Sequence, residues 1–136
     1  LPIRTTSMFQ SNIEELYKLG AASIHPFKTF NDFKEVNVKK MKLDNIKIRN
    51  KIGFIKIDVE GHEYEVIEGG KQTILENKPI LLIEIEKRHS NRSVDSSINY
   101  INKLGYKSYY VKNNELLLSD TLQDKAKEQN YYFLPI

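Results

Sequence analysis

Apolar residues along this chain fall into short blocks whose spacing changes from strand-like to helix-like and back. Val36-Asn37-Val38-Lys39-Lys40-Met41-Lys42-Leu43 alternates loosely and predicts a strand. Ile52-Gly53-Phe54-Ile55-Lys56-Ile57-Asp58 is denser in Ile and Phe, as suits a strand covered on both faces in a parallel sheet. From His62 to Glu76 the period lengthens and predicts one helix. Tyr64, Val66, Ile67, Gly70, Ile74 and Leu75 form its broad apolar side, and Glu63, Glu65, Glu68 and Lys71 its polar side. Glu60, Glu63 and Glu65 load its N-terminal end with negative charge, which the helix dipole favours. Gly69-Gly70 inside that helix costs about 1 kcal/mol per Gly relative to Ala. Close approach of the helix to the sheet is the expected compensation. Asn77-Lys78-Pro79 stops the helix.

Ile80 to Ile85 predicts a second buried strand. Asp95 to Leu104 carries Ile98, Ile101 and Leu104 on one side and predicts a second helix ended by Gly105. Tyr106 to Val111 is the next strand, Asn113-Asn114 a turn, and Glu115 to Ser119 a short strand that pairs back. Asp120 to Gln129 is polar and helix-like, and Tyr131 to Pro135 reads as a last strand. Upstream, Asn12 to Leu19 suits a short helix ended by Gly20, and Phe27 to Glu35 has no clear period. Strands alternating with helices imply crossover connections and a mostly parallel sheet with one antiparallel strand at its edge.

The chain has 136 residues, which suits one domain, 1–136. Hydrophobic residues at 40% and charged residues at 29% mark a globular chain rather than a disordered one. Cysteine is absent, which excludes disulfides and thiolate-ligated metals. No apolar run approaches the roughly 20 residues of a membrane span. A net charge of +3 does not argue for nucleic acid. Lys39-Lys40-Met41-Lys42 and Lys47 to Lys51 read as solvated edges. The expectation is a cytoplasmic protein without nucleic-acid or membrane partners.

The candidate chemistry lies where two buried strands end. In open α/β sheets ligands sit at the carboxyl ends of strands. Asp58 and Glu60 follow the first strand, and Glu84 and Glu86 end the second. Alternation places Lys56 and Asp58 on one side, with Ile55, Ile57 and Val59 on the other. Gly61 permits a tight strand-to-helix turn and a close ligand. Such a carboxylate can bind an ammonium, accept hydroxyl hydrogen bonds or act as a base. Acids at these places also serve as helix caps. Glu84 among Leu82, Ile83 and Ile85 needs a partner, for which Lys56 is the structural candidate. His62 is a proton carrier or a helix-start residue. Asp58, Glu60 and His62 together also have the spacing of a hard-metal cluster, a pattern common by chance. His25 and His89 have no evident partner in sequence. No phosphate-cradling loop, dinucleotide fingerprint or nucleophile elbow is present.

Taken in order, these segments resemble the FkbM-type methyltransferases. The resemblance rests on Phe54-Ile55-Lys56-Ile57-Asp58-Val59-Glu60-Gly61, then Glu63-x-Glu65-Val66-Ile67-Glu68-Gly69, then Pro79-Ile80-Leu81-Leu82-Ile83-Glu84-Ile85. Met41 to Ile46, Leu104-Gly105-Tyr106 and Tyr132 to Pro135 extend it, so that residues 36–136 match and 1–35 stay poorly defined. The resemblance implies the C-terminal half of a Rossmann-like class I methyltransferase sheet. Residues 52–58 would be its fourth strand, 80–85 its fifth, and the closing pair its sixth and seventh. It implies S-adenosylmethionine as cofactor and a hydroxyl of a sugar or other metabolite, a small molecule or glycan, as acceptor. Asp58, Glu60, His62 and Glu84 become candidate catalytic residues, and Asp58 and Gly61 candidate cofactor contacts, with no metal. His62 departs from the small residue often found there. The acidic-glycine loop that wraps the methionine part of the cofactor, and the acid that holds its ribose, have no counterpart before Val36. The expectation is therefore a fragment, inactive alone, with one apolar sheet edge exposed. The alternative is a non-enzymatic α/β remnant or binding module whose acids are structural.

Overall fold

The computed structural model describes residues 4–11, 22–23, 33–85, 92–122, 125 and 129–136. The chain divides into two compact units, Leu1–Met41 and Lys42–Ile136.

In the first unit, β1 (Arg4–Ser11), β2 (Ala22–Ser23) and β3 (Phe33–Lys40) form an antiparallel sheet in the order β2-β1-β3. β1 pairs with β3 along its whole length, from Arg4 opposite Lys40 to Ser11 opposite Phe33. The strand expected from Val36 therefore begins at Phe33 and takes in part of a stretch that shows no period of its own. Pairing with a distant strand supplies the backbone hydrogen bonds that local alternation does not announce. The helix expected over Asn12 to Leu19 lies outside the described residues.

The second unit contains β4 (Phe54–Ile57), α1 (Glu63–Gly69), α2 (Lys71–Asn77), β5 (Ile80–Glu84), α3 (Val94–Asn102), β6 (Tyr106–Lys112), β7 (Glu115–Leu118) and β8 (Asn130–Pro135). Its five-stranded sheet has the order β4-β5-β8-β6-β7. Only β4 and β5 pair in parallel; the other three pairings are antiparallel. This corrects the expectation of a mostly parallel sheet. The last strand inserts between β5 and β6 instead of adding at an edge, so one parallel contact is replaced by two antiparallel ones. β5 and β6 each run opposite to β8, so β4, β5 and β6 still point the same way. The β6–β7 hairpin is the expected antiparallel edge, turned through Asn113 and Asn114 with φ of 52° and 62°.

Register sorts the side chains into two faces. Ile55, Leu81, Phe133 and Ser108 form one row across four strands. With Ile57, Ile83, Ile85 and Tyr131 this face packs against Ile67, Ile74, Val94, Ile98 and Ile101 in a single core. Tyr131 and Phe133 are fully buried, as their central strand requires. The next row, Lys56, Leu82, Tyr132, Tyr109 and Leu118, lies on the opposite face. There Phe54, its neighbour Ile80, and Leu118 are exposed. Within this unit the helices cover one side of the sheet, where both faces were expected to be covered for β4. β4 is also an edge strand, as anticipated.

The single helix expected over His62–Glu76 is two. Gly70, at φ −121° and ψ 15°, ends α1 and starts α2. A Cβ at Gly70 would lie 2.8 Å from Leu43 Cδ2, and one at Gly69 would lie 3.7 Å from the Lys42 backbone. The glycine pair thus meets the 3₁₀ turn Leu43–Asn45, not the sheet. Asp44 in that turn accepts the backbone N–H groups of Gln72 at 3.2 Å and Thr73 at 2.9 Å, capping α2 from outside. At the amino end of β5, Lys78 donates to the Leu104 carbonyl at 2.9 Å, and the Tyr106 hydroxyl to the Pro79 carbonyl at 3.0 Å. Between Ser119 and Gln129 a 3₁₀ turn, Ser119–Thr121, replaces the first part of the expected polar helix. Residues 123–124 and 126–128 lie outside the described residues.

Candidate functional site

The parallel pairing of β4 and β5 sets the geometry of the candidate rim. Their register places Ile57 beside Ile83, both buried. Asp58 directly follows β4 and Glu84 is the last residue of β5, so both stand at the carboxyl ends of adjacent strands. Alternation directs Glu84, and Asp58 by continuation, to the face opposite the buried isoleucines. Lys56 confirms the side for Asp58, because its ammonium lies 3.0 Å from Asp58 Oδ2. Both partners are about half exposed, and such a pair contributes at most about 1 kcal/mol. The structural partner imagined for Glu84 is therefore engaged with Asp58. Across β8, Glu84 faces Asn130 in register. Glu86 lies outside the described residues, as do His25 and His89.

Between β4 and α1 the chain turns sharply. Glu60 has φ 49° and Gly61 φ 93°. The left-handed conformation is natural for Gly61 but costs a residue with a Cβ, such as Glu60, roughly 1–2 kcal/mol. The tight strand-to-helix turn expected at Gly61 is present, and Glu60 shares it. The Glu60 side chain is exposed. His62 is the N-cap residue of α1 and makes no side-chain cap bond. Its Nδ1 is 3.9 Å from Glu65 Oε2, and its side chain is 35% exposed. Asp58, Glu60 and His62 do not converge: among the described residues no group of three or more His, Asp or Glu side chains is placed to hold a metal ion.

Sequence reasoning put Glu63 on the wetted side of α1, and the fold buries it at 5% exposure. Its Oε1 accepts the Gly61 N–H at 2.8 Å. A carboxylate accepting a backbone N–H is a charge-assisted bond, stronger than a neutral one. The only sequence signal for it is the Gly61-x-Glu63 spacing, which a local turn can close and helical periodicity ignores.

Elsewhere, a shallow depression is lined by Asp44, Glu68, Lys71, Gln72, Leu75 and Glu76, and none of the candidate residues lines it. No helix among the described residues is long and apolar enough to cross a membrane.

Two carboxylates at adjacent strand ends suit an ammonium or hydroxyl groups, and Gly61 leaves the backbone uncovered by a Cβ beside them. The family model for the methyltransferase FkbM domain matches residues 4–108. The match starts at β1, takes in the whole β4–turn–α1–α2–β5 stretch, and ends inside β6. No curated protein and no solved structure matches the chain. Since the match covers well over half of the 136 residues and includes the rim just described, the chain belongs to the FkbM methyltransferase domain family.

Proposed function

We propose that the chain supplies the acidic rim of an S-adenosylmethionine-dependent O-methyltransferase with a Rossmann-like sheet. The acceptor in this reading is a hydroxyl of a sugar or other small metabolite. The observation that carries it is the parallel register of Ile57 with Ile83, after which Asp58 and Glu84 come next at the carboxyl ends of the two strands. The shared direction of β4, β5 and β6 supports the same reading.

The bound cofactor supplies a methyl group on a sulfonium, ready for attack by an oxygen. The chain's own residues have other tasks. Asp58 and Glu84 attract a cationic group and accept hydroxyl hydrogen bonds, which orients the reactants and accounts for much of the rate in a direct transfer. Gly61, together with Asp58, lies on the cofactor side. Glu60 or His62, both at the turn, takes the proton leaving the acceptor hydroxyl. The Lys56–Asp58 ion pair is what favours the alternative, a binding module with structural acids.

The test is a titration of the isotope-labelled chain with S-adenosylmethionine, followed residue by residue by NMR. The expected result is that amide signals of Asp58, Glu60, Gly61 and Glu84 move together, without methyl transfer. Shifts confined to other residues, or none at millimolar cofactor, would sink the proposal.

A further inference from the structure

We infer that Glu63 is a positioning residue for the rim: its buried carboxylate locks the Glu60–Gly61 turn and so fixes where Glu60 and Gly61 stand at the end of β4. The inference rests on the reading of that rim as the methyltransferase site. Three observations carry it. Glu60 and Gly61 are successive left-handed residues, a conformation that relaxes unless something holds it. The Gly61 N–H, the donor in the middle of that turn, is taken by Glu63 Oε1 at 2.8 Å. Finally, Glu63 is 5% exposed, whereas Glu60 and Glu65 on either side are exposed. A surface glutamate with no task beyond solubility has no reason to be buried. The backbone N–H group it satisfies belongs to the turn that carries the candidate proton acceptor and the cofactor-side glycine. Glu63 thus acts through Glu60 and Gly61, without itself reaching a reactant.

The experiment uses the full chain, with Glu63→Gln and Glu63→Ala variants, and reads Gly61 amide hydrogen exchange by NMR. Loss of the bond in Glu63→Ala should speed Gly61 exchange about tenfold, while core amides such as Leu81 and Phe133 keep theirs. Glu63→Gln, whose amide oxygen still accepts, should restore slow exchange. Unchanged Gly61 exchange in Glu63→Ala overturns the inference. Should Glu63→Ala fail to fold, Glu63→Asp decides: its shorter side chain draws the carboxylate away from the Gly61 N–H, so Gly61 exchange should speed up, and unchanged exchange there overturns the inference. Cofactor titration separates the two claims. If S-adenosylmethionine moves no rim signal in the unmodified protein, the site reading fails, while Gly61 exchange still decides whether Glu63 braces the turn. If the rim signals move, Glu63→Ala should weaken those at Glu60 and Gly61 more than that at Glu84.

Discussion

Thr73 donates its backbone N–H to Asp44 Oδ1 at 2.9 Å, tying the turn that precedes β4 to the first turn of α2. Neither residue belongs to the rim, yet the bond fixes the pair of helices that follows it. Desolvation alone would push the Asp44 carboxyl up. Hydrogen bonds from the Thr73 backbone and side chain and from the Gln72 N–H, with the charge of Lys42, outweigh it and hold the group below its usual 3.8. The folded pKa being lowered, this contribution is present above the unfolded value and is lost as pH falls through the folded one. Asp44→Ala should cost about 1 kcal/mol at neutral pH, the usual loss for an N-cap. Urea denaturation at neutral pH and near pH 3 checks this. The gap between the two proteins should narrow in acid.

Gly70→Ala should destabilise the fold by about 1–3 kcal/mol, the usual cost of overpacking. The new methyl meets Leu43 at Cδ2, Cβ and Cγ, so the whole side chain must move. Combining it with Leu43→Ala should cost less than the sum of the single changes, a coupling read from a double-mutant cycle. Gly53→Ala is the control, since nothing lies within 4 Å of a Cβ there.

Lys56→Met should leave stability within about 1 kcal/mol of the parent, because the ion pair is solvated on both sides. Asp58→Asn should do the same. Under the proposed function, Asp58→Asn weakens the cofactor-induced shifts at Gly61 and Glu84, whereas Lys56→Met does not abolish them. Thermal melts and the NMR titration together separate a structural acid from a functional one.

Burial pushes the Tyr106 phenol up to about 12. Since its folded pKa is raised, the stability it contributes is complete below the unfolded value near 10 and is lost as pH climbs toward 12. Tyr106→Phe removes the 3.0 Å bond to the Pro79 carbonyl and should cost about 1 kcal/mol at neutral pH. It should also flatten the alkaline limb of the stability profile, which denaturation between pH 9 and 12 would reveal.

Much of the second unit was legible beforehand. β4, β5, β6 with its β7 hairpin, and α3 fall where their spacing puts them, because alternation and helical period are local properties of the backbone. The positive φ of Gly61 follows from the same logic, since a strand that ends in Gly before a helical pattern has few ways to turn. What escaped was relational. The Gly69-Gly70 spacing suggests a helix–sheet contact, and its partner is the Leu43 turn. Helical spacing alone puts Glu63 in water, and the turn before it draws it inside.

By itself the sequence determined the strands and the α3 helix of the second unit, its two acid-ended strands and the family to which the chain belongs. Only the tertiary structure decided that β8 enters between β5 and β6, that one sheet face packs on the helices of the second unit, and that Ile57 and Ile83 come level in a parallel pair. The reason is physical. Periodicity records which side of an element seeks burial, whereas strand order and register depend on contacts between residues far apart in the chain, whose free energies no single segment carries.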